Sequence, residues 1–385
     1  MYQEFTSGAG VIFGRGSITI LGEKLAALGC RKALLVFDKG SERAGIVARA
    51  VASLDSAGVS YAAFDGVIAD PTDAVVDAAG AAAIAAGADC LVGIGGGSSM
   101  DTAKAAAILL SGNPAPVKNY ILAHPISVAT TAPVILVPTT AGTGSECTRV
   151  AIISRPDVNA KWSVYVNTTL AVVDPELMLT LPPAVTAHTG LDALAHAVEA
   201  YTSNCANIHA DLYALGAIRK IAGSLVLSYQ HPDNIEYRSE MAIAANWAGM
   251  AFRDPLTHMG HAIGDAFSVA FHTPHGHSCA LGLAEVMRFV APFVPERMAD
   301  IAAALGLELR GNESGETLGN MVADAIYGMM RAMNVQSLHE LGATREQVVA
   351  LAPSVADSHL SSYCPTPVTV EVAEMVLGRV WDGYR

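Results

Sequence analysis

The stretch "CLVGIGGGSSMDTAK", residues 90–104, runs from an apolar segment through three successive glycines into a helix-forming segment. A short apolar run without alternation suits a parallel strand covered on both faces. The glycines let a backbone approach a ligand closely, and the helix behind them offers unpaired N–H groups and a positive dipole end to an anion. Taken alone, such a turn is equally a tight strand-to-helix connection.

The neighbouring sequence repeats the pattern. "KALLVFD" (32–38) reads as a buried strand and "AVVDAAGAAAIAAG" (74–87) as a helix, while "APVILVPTTAGTGSE" (132–146) holds another strand that ends in a loop of small residues. Strands alternating with helices imply βαβ units and a parallel sheet. Beyond about residue 180 the strand signals fade into Ala-rich helices such as "TAHTGLDALAHAVEAYTS". The expected architecture is an α/β dinucleotide-binding domain over residues 1–182 and an all-α domain over 183–385 that binds metal and substrate, with the boundary at "LPP".

The chain of 385 residues is long enough for two domains, which imply a cleft. With 52% hydrophobic and 15% charged residues, much of it belongs in cores or a subunit interface, and a homodimer or higher homo-oligomer is expected. A net charge of -13 without a Lys/Arg run argues against nucleic acid and for a small-molecule partner. The six cysteines form no CxxC pair and read as reduced, mostly buried thiols. No segment stays apolar for the ~18 residues of a membrane span, and no signal peptide is evident at the N-terminus, so a cytoplasmic protein is expected.

Two groups of residues carry chemistry. "PTTAGTGSE" (138–146) adds small hydroxyl side chains to the glycine loop, and together they favour a dinucleotide. The usual G-x-G-x-x-G after the first strand is missing; instead Asp38 ends an earlier strand, where a carboxylate accepts ribose hydroxyls and repels a 2′-phosphate, favouring NAD over NADP. A solvated loop acid is the other reading of Asp38. The second group is "GHAIGDAFSVAFHTPHGHS" (260–278), whose His261, Asp265, His272, His275 and His277 raise the odds of a metal or proton-transfer site. Its partners lie in "TGLDALAHAVEAY" (189–201), where Asp192 and His196 share a helix face one turn apart. One carboxylate and three imidazoles can hold a divalent ion, although a lone buried histidine is more often a core residue.

In order, "GIGGGSSMDTAK", "PTTAGTGSE", "VVDPELMLTLPP", "TGLDALAHAVEAY" and the His261-to-His275 spacing that ends in "TPHG" resemble the iron-containing (group III) alcohol dehydrogenases, from about residue 5 to about residue 300 and more weakly beyond. The resemblance implies the two-domain fold of that family and of dehydroquinate synthase, with NAD bound by the α/β domain and Fe²⁺, or Zn²⁺, bound by the helical one. It implies metal ligands at Asp192, His196, His261 and His275. It implies cofactor contacts from Asp38, Gly95, Gly96, Gly97, Ser98, Thr139, Thr140 and Thr143, with Lys161 near the nicotinamide. The expected reaction moves a hydride between nicotinamide and a small alcohol or aldehyde.

The chain also departs from that family. Members usually carry a second histidine four residues after the third ligand; here Asp265 stands there, which puts the proton path in doubt and leaves His272 as a substitute or as a plain loop residue. His258 and His277 read as structural. Arg253 and Asp254 replace small or amide residues, and Arg253 either recognises an acidic substrate group or pairs with Asp254 or solvent. Same-fold alternatives are a maleylacetate reductase, a polyol dehydrogenase and a dehydroquinate-synthase-like lyase; a non-catalytic metal- and nucleotide-binding protein is the alternative of another class.

Overall fold

The computed structural model describes residues 8–120, 130–157 and 160–385. They divide into two compact units. Of the described residues, one takes 8–140 together with Gly144–Thr180, and the other takes Ala141–Thr143 with Leu181–Arg385.

The first unit is built on a six-stranded sheet, β1 (Gly10–Phe13), β2 (Lys32–Phe37), β3 (Ser60–Phe64), β4 (Cys90–Gly95), β5 (Val134–Pro138) and β8 (Leu170–Val173). A hairpin, β6 (Val150–Arg155) and β7 (Ala160–Tyr165), intervenes between β5 and β8. The sheet order is β1-β8-β5-β4-β2-β3 and every pairing in it is parallel. Side chains alternate across it, as the pleat requires. Leu34, Val36, Leu91 and Leu136 face one layer, with α4 (Asp73–Ala86) and α5 (Gly97–Leu110). Ala33, Leu35, Phe37, Val92, Ile94 and Val137 face the other, with α1 (Leu21–Ala27) and α3 (Ile46–Ser56); α2 (Lys39–Arg43) is a short turn of helix between β2 and α3. Both faces are therefore covered, which explains why β4 reads as an unbroken apolar run.

From β2 the chain moves outward to β3, then crosses back to start β4 on β2's other side. That reversal makes the carboxyl ends of β2 and β4 a topological switch point, the place where open α/β sheets bind ligands. Asp38 follows β2 there, and Gly95 ends β4, with Gly96 and Gly97 leading into α5.

The end of the "GGGSSMDTAK" motif serves the fold. Lys104 is fully buried; its Nζ lies 3.2 Å from Asp101 Oδ1 and donates to Ser145 O at 2.8 Å, to Thr148 Oγ1 at 3.2 Å and to Val150 O. Asp101 in turn accepts from Ser145 Oγ at 2.6 Å and from Ile152 N at 3.0 Å. Asp174 of "VVDPELM" has a similar duty, accepting from the backbone N–H groups of Gly16, Ile18 and Glu176.

The second unit is helical: α6 (Pro183–Thr202), α7 (Ile208–Gln230), α8 (Ile235–Phe252), α9 (Met259–Phe271) and α10 (His275–Val290), then further helices out to Gly383. Helices α7 and α8 pack on each other and on α6, while α10 packs on both α6 and α9. Proline at the first position of α6 suits a group whose N–H would be unpaired anyway. Among the described residues no helix is long and apolar enough to cross a membrane.

Removing one member of a buried pair leaves the other uncompensated. Lys104→Ala should lower the unfolding free energy by about 3–5 kcal/mol; a urea titration that finds the variant as stable as the parent would refute the structural role of this lysine.

Candidate functional site

The second unit gathers the candidate ligands from three helices. On α6, Asp192, His196 and Glu199 fall one turn apart and share a face. Helix α9 supplies His261 in its first turn, and α10 begins at His275 directly after Pro274. The result converges on one atom. Asp192 Oδ1 lies 4.0 Å from His196 Nε2, 3.8 Å from His261 Nε2 and 3.9 Å from His275 Nε2.

Asp192 is 2% exposed, yet its Oδ1 is buried without a hydrogen-bond partner, and so is His261 Nε2. Leaving such atoms unpaired costs about 1–3 kcal/mol each, more for a charged group. An oxygen and three imidazole nitrogens at these spacings are a donor set for a divalent cation, so the residues fit the group that the resemblance implies. Burial pushes the His196 pKa down to about 3, which keeps its ring neutral, as a ligand must be. Phe252 stacks on the same ring at 4.1 Å between centroids and holds its plane.

Glu199 orients His261. It accepts from the backbone N–H groups of His258 (3.1 Å), Gly260 (2.7 Å) and His261 (3.4 Å), capping α9 with a carboxylate from another helix. Its second oxygen takes His261 Nδ1, which turns Nε2 toward Asp192. Burial alone would raise the Glu199 pKa, but His258 and His261 beside it and the Gly260 N–H hold it at about 2. His258 lies between Glu199, 3.1 Å from its Nδ1, and Thr202 Oγ1, 2.8 Å from its Nε2.

The other candidates are placed as follows. Asp265 Oδ1 lies 3.6 Å from His275 Nδ1. His272 is exposed at the C-cap of α9, in the left-handed region at φ 54°, and makes no hydrogen bond or ion pair with the cluster among the described residues. His277 bonds Gln336 O at 2.7 Å and stacks on His188, both structural contacts. Arg253 is only 4% exposed, so its guanidinium is enclosed by protein and does not pair with solvent.

In the first unit, Asp38 accepts from Gly40 N, Ser41 N and Ser41 Oγ as the cap of α2, and from Ser99 Oγ at 3.0 Å across to the glycine loop. Gly95 has φ 150°, and a Cβ there would stand 2.4 Å from Ser99 Oγ and 2.7 Å from Asp38 Oδ2; only glycine fits. Gly96 caps α5, Gly97 and Ser98 form its first turn, and Thr139 N donates to Gly95 O. Thr140 Oγ1 is buried without a partner. Thr143 belongs to the helical unit, where the adjacent Gly142 packs on Thr189 of α6. Lys161 on β7 pairs with Asp70 at 2.8 Å.

The family described as iron-containing alcohol dehydrogenase matches residues 9–175, and its C-terminal counterpart matches residues 186–380. The chain belongs to the iron-containing alcohol dehydrogenases. It is thus an oxidoreductase acting on alcohols or aldehydes. Lactaldehyde reductase of Escherichia coli (strain K12) is 34% identical over 366 residues, covering 93% of this chain and 94% of that protein. The crystal structure of a 1,3-propanediol oxidoreductase superposes with a TM-score of 0.92 at 31% identity, over 99% of this chain and 100% of that one. A sulfoacetaldehyde reductase from Bifidobacterium kashiwanohense, solved with NAD+, gives 0.89 at 26% identity over the whole of both chains.

Two residues of this alcohol dehydrogenase escape a sequence reading. Glu199 lies within the ligand motif but looks like any acid on a helix; only its position one turn past His196, on the buried face, hints at its role. Cys279, one turn past His275, passes for a small core residue. Because a carboxylate that holds one ring nitrogen of a histidine orients the other, Glu199→Gln should weaken divalent-ion affinity about 10–100-fold while leaving the helices folded; an unchanged affinity in a chelator competition would show that Glu199 only caps α9.

Proposed function

We propose that the enzyme transfers a hydride reversibly between NAD(H) and a small alcohol or aldehyde at a divalent ion, Fe²⁺ or Zn²⁺, held by Asp192, His196, His261 and His275. The observation that carries this reading is the buried, unpartnered Asp192 Oδ1 with three imidazole nitrogens no more than 4.0 Å away. When bound, the ion supplies Lewis acidity toward an alcohol or carbonyl oxygen, and NAD supplies or takes up the hydride.

The chain's residues do the rest. Asp192 provides the negative charge, His196 a neutral nitrogen, and Glu199 fixes His261 in the tautomer that leaves Nε2 free to bind. Asp265 places a negative charge 3.6 Å from the opposite nitrogen of the His275 ring. The exposed position of His272 favours its reading as a loop residue, so protons exchange through substrate, ribose hydroxyls and solvent.

For the cofactor, the N-terminus of α5 and Gly95–Gly97 suit a pyrophosphate, with Thr140 Oγ1 as an available hydrogen-bonding atom. Asp38 beside them disfavours a 2′-phosphate by charge. The NAD+ complex of the sulfoacetaldehyde reductase supports this cofactor, and the names of the relatives point to short aldehydes and diols. The sulfoacetaldehyde reductase among the relatives keeps an acidic aldehyde among the substrates to be tested.

Protein stripped of metal should be inactive in NADH oxidation with a panel of neutral and acidic short aldehydes, and anaerobic Fe²⁺ or Zn²⁺ should restore turnover. Asp192→Ala should lose both the ion and the activity; full turnover in a metal-free Asp192→Ala protein would end the proposal. Asp38→Asn, which keeps the α2 cap but removes the charge, should raise kcat/KM for NADPH relative to NADH by about tenfold, equal to ~1.4 kcal/mol; an unaltered ratio would remove Asp38 from cofactor selection.

A further inference from the structure

We propose that Cys279 is a sulfur donor to the metal centre, so that the ion is held by a mixed nitrogen, oxygen and sulfur set. This rests on the reading of Asp192, His261 and His275 as metal ligands.

One ligand atom each from Cys279, Asp192, His261 and His275 lies within 4.8 Å of all the others. The thiol is fully buried, and its Sγ is 3.6 Å from His275 Nε2. One feature aims it into the site and a second gives it room. His275 and Cys279 are four apart on α10 and share a face, so both point where Asp192 Oδ1 and His261 Nε2 stand buried without partners. Opposite the sulfur, α9 carries Gly264, and a Cβ at that position would lie 2.4 Å from Cys279 Sγ. The helix is cut back where the sulfur needs room.

His196 is not part of the set that closes on the sulfur, although its Nε2 lies 4.0 Å from Asp192 Oδ1. Asp192, His261 and His275 therefore belong to two overlapping donor sets, one completed by His196 and the other by Cys279. On binding, the S–H bond breaks, a sulfur–metal bond forms and one proton leaves to solvent, with no change of oxidation state. A thiolate is a soft ligand and shifts the site's preference from Fe²⁺ toward Zn²⁺ and softer ions.

The test is X-ray absorption at the zinc edge on full-length protein loaded with one equivalent of Zn²⁺, for the parent, Cys279→Ser and Cys279→Ala. The parent should show a sulfur scatterer at about 2.3 Å beside nitrogen and oxygen at about 2.0–2.2 Å. Both variants should keep the nitrogen and oxygen shell and lose the sulfur. A parent with nitrogen and oxygen alone overturns the proposal and leaves the metal centre standing. A sulfur shell that survives in the variants comes from another thiol, such as the Cys30 and Cys90 pair beside Asp89, and also overturns it. If Asp192→Ala binds zinc as tightly as the parent, the metal-centre reading fails, and this inference with it.

Discussion

Two carboxylates on one face of α6 have been taken out of water, and the helical unit is organised around what each then requires. An ion removed from solvent loses several kcal/mol of hydration unless charge and hydrogen bonds replace it. Glu199 finds both within the protein, in the first N–H groups of α9 and two histidines. Asp192 does not: imidazole nitrogens surround its Oδ1 at 3.8–4.0 Å, too far for hydrogen bonds and well spaced for an ion among them. The same helix thus solves one buried charge internally and leaves the other open for a cation. The starts of α9 and α10 follow from that division, since each brings a histidine to its first turn.

The α/β unit handles anionic chemistry by the opposite device. Its sheet exposes a switch point, and a turn that only glycine can make presents backbone donors rather than side-chain charge. Lysines of this unit are engaged with acids, Lys39 with Asp65 and Glu42, Lys104 with Asp101 and Lys161 with Asp70. Beside that turn stands the carboxylate of Asp38, tied to it by the hydroxyl of Ser99.

The layers of the fold were readable because burial on both faces leaves continuous apolar strands and because the change to helical spacing near residue 180 is abrupt. The candidate metal cluster could be proposed because His and Asp are conspicuous in an Ala-rich background. What escaped was orientation. Nothing in the sequence distinguishes Glu199 from a solvated helix acid, or Cys279 from a core thiol, since both depend on how α6, α9 and α10 are rotated about their axes. The spacing of His272 left open a place near the metal, but a left-handed residue ending α9 turns the chain outward, leaving that ring exposed. Conversely, the acid and lysine of "MDTAK" stand in a cofactor motif yet lock α5 to the segment after residue 144.

The candidate ligands at 192 and 196 are separated from those at 261 and 275 by the whole of α7 and α8. An ion gripped by both groups closes that stretch of chain into a loop, as a reversible cross-link would, and closure of a long loop restricts the unfolded chain more than a short one. A ligand that binds only the folded state adds stability according to its free concentration, about 2.7 kcal/mol at a hundred times its dissociation constant. Durability and catalysis are then set by the same pool of ions. In a cell short of the metal, this enzyme would be degraded sooner as well as idle, so its abundance would follow metal supply without any dedicated regulator.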